Sequence, residues 1–257
     1  MKKLPFAISI PHGGTDIPEE FVPHLAATPD CMKEDVDHLT REICGVHPDL
    51  VIHYMDFETS RTFVDLNRPP DWVGPDYPDG VVKRQTHLGH PVFNDFPSES
   101  AVEQVLERLY RPYHAELAQI TREPEVKLTI DCHSMSPRGL PVSPDEPGKE
   151  RPPICLGHRA GASATLEMVR AMVDIMSVVY ELPGEDITID YPFNGGYITR
   201  QYGNLNNPMI QVEFSRGFYM PDLVGQPDPK LPPEELKMWQ ERFEETLRGL
   251  ANHRIFR

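Results

Sequence analysis

The sequence predicts an α/β protein, a layered sheet flanked by helices. Three observations predict it. Short apolar runs of strand length alternate along the chain with segments whose apolar residues recur at helical spacing. Two apolar runs lead into a histidine set among small or polar residues, Ile10-Pro11-His12-Gly13-Gly14 and Ile130-Asp131-Cys132-His133-Ser134. That is how the ligand-bearing carboxyl edge of an open α/β sheet reads. No repeat, linker or composition shift interrupts the 257 residues, so residues 1–257 are expected to form one domain with a sizeable core.

The elements follow in order. Phe6–Ile10 is an apolar strand. Asp35–Cys44 reads as a helix, its leading acids suited to the N-terminal dipole. Leu50–Met55 and Arg61–Asp65 read as strands. A longer helix starts near Ser98 and carries Val102, Val105, Leu106 and Leu109 on one face, with Pro112 expected to kink or break it. Lys127–Asp131 and Ile154–Leu156 are short buried strands. Ser163–Tyr180 is a helix capped by Ser163. Ile187–Asp190 and Met209–Phe214 are strands, and Pro233–Ala251 is a helix opened by Pro-Glu-Glu.

The formal net charge of −15 argues against nucleic acid or an anionic membrane as partner, since both need a basic face. The apolar run after the basic N-terminus stops at Pro11, too short for a signal-peptide core or a membrane span. The cysteines Cys31, Cys44, Cys132 and Cys155 form no Cys-x-x-Cys pair and no disulfide framework. A cytoplasmic protein with reduced thiols is expected.

A hydrolytic zinc site takes three protein ligands from His and Asp/Glu and leaves one position for water. His12 and His133, both following apolar strands, are the histidine candidates. Asp16, Asp35 and Asp37 are the carboxylates within reach in sequence, with Asp37 preferred and Asp35 second. In Met209–Phe214, Gln211 and Glu213 point the same way. A glutamate in so apolar a strand costs burial energy unless paired or functional, and as a general base it could take a proton from activated water. Asn67-Arg68, stiffened by Pro69-Pro70, and Arg200, after the Gly195-Gly196 turn, place arginines in rigid turns of an acidic chain. This suits capture of a carboxylate.

Taken together, the motifs resemble the N-formylglutamate amidohydrolase family. They are Ser9-Ile10-Pro11-His12-Gly13-Gly14, Val64-Asp65-Leu66-Asn67-Arg68-Pro69, Tyr110-Arg111-Pro112-Tyr113-His114, Asp131-Cys132-His133-Ser134-Met135, Asn194–Arg200 and Gln211-Val212-Glu213. The resemblance implies a three-layer α/β/α fold with a mixed, mostly parallel central sheet, like that of zinc carboxypeptidases and aspartoacylases. It implies one zinc ion held by His12, His133 and an acid near Asp37, with Glu213 as general base. Asn67, Arg68, Arg200 and Gly196 are implied as substrate-binding positions. The expected reaction is hydrolysis of N-formyl-L-glutamate or a similar small anionic N-acyl amino acid, in histidine degradation. The same residues also suit a zinc carboxypeptidase or an acylase for another acyl group, or a non-catalytic relative that binds acidic metabolites.

Overall fold

The computed structural model describes residues 2–141 and 143–257. The strands are β1 (Leu4–Ile10), β2 (Val51–Asp56), β3 (Leu128–Met135), β4 (Ile154–Gly157), β5 (Ile187–Ile189) and β6 (Met209–Ser215). They form one six-stranded sheet in the order β2-β1-β3-β6-β4-β5. The first four in that order run parallel; β4 is antiparallel to β6, and β5 is parallel to β4. The sheet is therefore mixed and mostly parallel.

The helices are α1 (Thr40–Ile43), α2 (Glu99–Val105), α3 (Arg111–Ile120), α4 (Leu166–Val179), α5 (Tyr197–Tyr202), α6 (Arg216–Tyr219) and α7 (Pro233–Asn252). Side chains alternate across each strand, and the two sheet faces differ. Phe6, Ile8 and Ile10 of β1, Leu128, Ile130 and Cys132 of β3, and Ile210, Val212 and Phe214 of β6 pack with α4 and α7. From α7, Trp239, Phe243, Leu247 and Leu250 join this core, a helical stripe in which each buried side chain contributes roughly 1.5–3 kcal/mol. On the other face, α2, α3 and the turn between them supply Val102, Val105, Tyr110, Tyr113 and Leu117 to a second core.

That second face also carries a polar stripe. Ser9 lies opposite Asp131, Asp131 opposite Gln211, and His133 opposite Glu213. All five are buried. Three parallel strands in register thus bring polar groups from distant sequence positions onto one surface.

Several elements differ from expectation. Residues 61–65 form a turn, not a strand, because Ser60 and Asp65 offer it local partners. Phe63 and Val64 donate to the Ser60 carbonyl, and Asp65 Oδ1 accepts from Asn67 N at 2.9 Å. The helix expected over Asp35–Cys44 shrinks to Thr40–Ile43. Asp37 N bonds to the His12 carbonyl and Leu39 sits at φ 62°, so the acids stay in a loop. Strand β3 runs on through His133 to Met135. The helix from Ser98 does not break at Pro112; α2 continues into α3 through one π-helical turn, Leu106–Tyr110, which accommodates the missing proline donor. Thr165, not Ser163, caps α4, its side chain accepting from Met168 N. No helix among the described residues is long and apolar enough to cross a membrane.

A candidate metal centre at the carboxyl edge of the sheet

The ends of β1, β3 and β6 open onto a cleft of about 500 Å³ lined by His12, Asp37, His133 and Glu213. His12 follows β1 directly. Its turn needs glycine: a Cβ on Gly14 would lie 2.2 Å from the Glu58 carbonyl carbon, so the loop can press against the backbone after β2. The Nδ1 atoms of His12 and His133 face each other at 3.1 Å. Asp37 Oδ2 completes the group, 3.5 Å from His12 Nδ1 and 3.2 Å from His133 Nδ1. Ser134 N–H donates to the same oxygen and aims it.

Two buried carboxylates fix both rings from behind. His12 Nε2–H donates to Asp65 Oδ1 at 2.8 Å, and His133 Nε2–H to Asp131 Oδ2 at 3.1 Å. A carboxylate only accepts, so both protons sit on Nε2 and both Nδ1 atoms turn lone pairs inward. Two imidazole lone pairs and a carboxylate oxygen then converge on one point, an arrangement that repels itself unless a cation or a proton lies between them. The His-His-Asp donor set, backed by carboxylates, has the chemistry of a catalytic zinc site. Without a metal, burial disfavours charge on His133, but Asp131 and Asp37 outweigh it and hold its pKa well above the usual value. Asp37 is buried too, and its bonds to His12 and His133 keep its pKa well below the carboxylate norm.

Glu213 lies beside His133 on the neighbouring strand. Burial raises its pKa to about 7, helped by the Asp37 charge and opposed by His133. Gln211 Nε2 donates to Glu213 Oε1 at 2.7 Å, while Gln211 Oε1 accepts from Gly196 N–H. One glutamate oxygen is thus held and the other is left for a proton. A carboxyl poised near neutrality beside a polar cleft is what acid–base chemistry needs.

The structure brings together His12, Asp37, His133 and Glu213, and separates Asp35. Asp35 Oδ1 accepts from His87 Nδ1 at 2.7 Å, and Lys83 lies 3.4 Å from Asp35 Oδ2. Asn67, Arg68 and Gly196 line the cleft. Asn67 Oδ1 accepts from Ile198 N–H, and a Cβ on Gly196 would collide with the asparagine amide. Arg200 sits on the exposed side of α5, while its neighbours Ile198 and Thr199 are buried, and it is not part of the cleft wall. Another group of metal-type donors, Cys31, Glu34 and His90, is more exposed, and Thr86 and His90 already engage its carboxylate.

Sequence reasoning missed the supporting residues, although their motifs were in view. Asp65 is fully buried; burial would raise its pKa, but Arg61 and Arg68 hold it well below the usual value. Arg61 bridges Asp65 at 2.8 Å and Asp37 at 3.6 Å. Asp131 Oδ1 accepts from Ser9 Oγ at 2.8 Å, and Ser9 bonds Tyr113 Oη at 3.0 Å. Tyr110 Oη donates to the Arg68 carbonyl, and His114 bonds the Leu66 carbonyl and Tyr202. The Tyr-Arg-Pro-Tyr-His segment, where the π-helical turn runs into α3, therefore clamps the loop holding Asp65, Asn67 and Arg68. The one sequence signal for these roles was the clustering of polar residues inside otherwise apolar, buried segments.

Comparison with known proteins gives a consistent result. The profile of the N-formylglutamate amidohydrolase family matches residues 4–220. A curated relative, N-formylglutamate deformylase from Pseudomonas putida, is 28% identical over 230 residues, covering 85% of this chain and 82% of that protein. The crystal structure of N-formylglutamate amidohydrolase from Ralstonia eutropha JMP134 superposes with a TM-score of 0.77 at 20% identity, covering 96% of this chain and 93% of that one. The Agrobacterium tumefaciens gene product Atu2144 gives 0.64 at 16% identity, covering 97% of this chain and 92% of that one. At those identities the structural matches speak to the fold.

Proposed function

Because this chain belongs to the N-formylglutamate amidohydrolase family, we propose that it is a zinc-dependent hydrolase of N-formyl-L-glutamate, or a close N-acyl amino acid, acting in the cytoplasm. The observation that carries the zinc is the convergence of His12 Nδ1, His133 Nδ1 and Asp37 Oδ2, all buried, with Glu213 alongside. The four cysteines are free, which fits a reducing compartment.

His12, His133 and Asp37 would hold the ion, with Asp65 and Asp131 keeping both imidazoles in the ligating tautomer. Bound zinc supplies Lewis acidity toward the formyl oxygen and lowers the pKa of water from ~15.7 to about 7. Glu213 takes a proton from the attacking water on its unheld oxygen. It then delivers that proton to the amide nitrogen as the C–N bond breaks, releasing formate and the amino acid. Gln211 keeps the glutamate aimed throughout. Asn67, Arg68 and Gly196 border the space where the substrate lies, and Arg68, held by Asp79 and the Asn67 carbonyl, adds positive charge to that wall. Arg200 would have to swing in from outside the cleft, which its exposed position on α5 disfavours.

The deciding experiment is formate release from N-formyl-L-glutamate by the purified protein, with zinc determined on the same sample. About one zinc per chain with chelator-sensitive formate release supports the whole reading. Zinc with no formate rejects the substrate, and no zinc rejects the metal. Glu213→Gln should keep its zinc and lose turnover by on the order of 10²–10⁴-fold; near-normal activity would remove Glu213 from the mechanism.

A further inference from the structure

An anionic substrate entering this cleft meets five arginine and lysine side chains on its wall, Arg61, Arg68, Lys83, Arg151 and Arg216. Four have their charge already matched. Arg61 is paired with Asp65 at 2.8 Å, Arg68 with Asp79 at 2.6 Å and Arg151 with Asp145 at 2.7 Å. Lys83 contacts Asp35, Asp65 and Asp79. Arg68 is one of the two arginines the sequence offers for a carboxylate, yet each of its three nitrogens already donates within the protein. Its Nε and Nη2 bond Asp79, and its Nη1 bonds the Asn67 carbonyl.

Arg216 differs. Among the described residues it makes no ion pair, and its side-chain hydrogen bond is from Nη1 to the Val36 carbonyl at 3.1 Å. Nε and Nη2 remain, enough for a two-pronged grip on a carboxylate. The residue is half-buried at the start of α6, directly after β6, three positions beyond Glu213. Its predecessor Ser215 lies opposite Met135, so the guanidinium extends from the edge where β3 and β6 end. Ser134 Oγ, buried and without a hydrogen-bond partner, lines the same cleft. A half-buried guanidinium facing a cleft that also holds Glu34, Asp35, Asp37, Asp79, Asp190 and Glu213 is the place where an incoming anion gains most, because elsewhere it must first displace a carboxylate.

We propose that Arg216 is the substrate-carboxylate anchor of this site and the origin of its preference for anionic N-acyl amino acids. This rests on the reading above, and it adds a residue that the sequence motifs did not single out. The Val36 contact gives the anchor a second consequence. Arg216 touches the residue before Asp37, so a seated carboxylate steadies the loop that carries a proposed metal ligand.

The test compares wild type, Arg216→Lys and Arg216→Ala on three substrates. They are N-formyl-L-glutamate, its γ-amide N-formyl-L-glutamine, and the corresponding α-amide. The expected result is a rise in KM of on the order of 10²-fold for N-formyl-L-glutamate in Arg216→Ala, with kcat changed less and Arg216→Lys in between. The loss should vanish on whichever amide lacks the carboxylate that Arg216 holds. Equal losses on all three substrates, an unchanged KM, or loss of zinc from the variant would overturn the proposal in favour of a structural role. A second readout does not depend on the reaction. Glutarate, a dicarboxylate without an amide, should raise the unfolding temperature of zinc-loaded wild type and not of Arg216→Ala. No rise in wild type counts against the anchor while formate release still judges the hydrolase.

Discussion

His12 leans on Asp65 and His133 leans on Asp131, and the two carboxylates are stabilised in different ways. Asp65 sits in an ionic net. Arg61 lies at 2.8 Å, Lys83 at 3.6 Å and Arg68 at 3.8 Å from its Oδ2. Through Arg61 and Lys83 the net reaches Asp37, Asp35 and Asp79. Asp131 has no arginine or lysine partner among the described residues and is held by a neutral relay, Tyr113 to Ser9 to Asp131. Both carboxylates are fully buried. One arm is built by charge compensation in a loop, the other by a hydroxyl relay from α3 through β1. A break in the first should spread, because several charges share one counter-ion; a break in the second should stay local.

The largest effect is therefore expected from Asp65→Ala. It takes from Arg61 its nearest counter-ion, leaving the more distant Asp37, and frees the His12 ring. Removing one partner from such a buried ion cluster costs ~3–5 kcal/mol, and loss of the carboxylate behind a ligating histidine lowers metal affinity by ~10–100-fold. Urea unfolding and zinc titration measure the two. Asp131→Asn should cost less stability, ~1–3 kcal/mol, for a buried bond made worse rather than a charge left alone. Its zinc affinity should fall by the same ~10–100-fold. If Asp131→Asn unfolds as readily as Asp65→Ala, the contrast between the arms is wrong.

The clamp on the Asp65 loop adds a pH dependence. His114 is buried, and desolvation lowers its pKa to about 4. It is neutral in the folded protein, with Nε2–H donating to the Leu66 carbonyl and Nδ1 accepting from Tyr202 Oη. In the unfolded chain it titrates near ~6.5. Protons then bind the unfolded state preferentially between those values. Stability is fully present above pH ~6.5 and declines as the pH falls toward about 4. The ring is not wholly shielded from solvent, so about 1–2 kcal/mol is expected from this residue. His114→Gln, compared with wild type by unfolding at pH 7.5 and pH 5, should flatten the slope. An unchanged slope would place the acid sensitivity elsewhere.

What the sequence made legible follows the same division. The parallel strands and the two histidines could be read because apolar runs are visible as runs, and their registers follow once the strands pair. Asp37 and Glu213 were readable as carboxylates in odd places. Asp65 and Asp131 stood inside quoted motifs without a role, because a buried aspartate is recognisable only once its partners are known. Those partners lie far off in sequence: Ser9 is 122 residues from Asp131, and His12 is 53 from Asp65. Arg61 was hidden by an assumed strand, since residues 62–65 are all buried and alternation carries no information there. Residues 132–135 looked like the loop after the strand Lys127–Asp131; they stay in β3 because β6 pairs with them residue for residue, from Cys132 with Val212 to Met135 with Ser215.

The smallest effect tests the neutral arm at its far end. In Tyr113→Phe the ring still fills its place against Phe57, at 5.9 Å between centroids, and only the hydroxyl is lost. Ser9 keeps Asp131 as its acceptor, so no buried charge is exposed and no donor is stranded. The cost should be about 0.5–1 kcal/mol of stability, the net worth of one hydrogen bond, with zinc affinity nearly unchanged. A relay of this kind transmits orientation, and its outermost link matters least because the inner link is already satisfied. If Tyr113→Phe instead lowers zinc affinity as far as Asp131→Asn does, the hydroxyl chain works as one cooperative unit. The neutral arm would then be as interdependent as the ionic one.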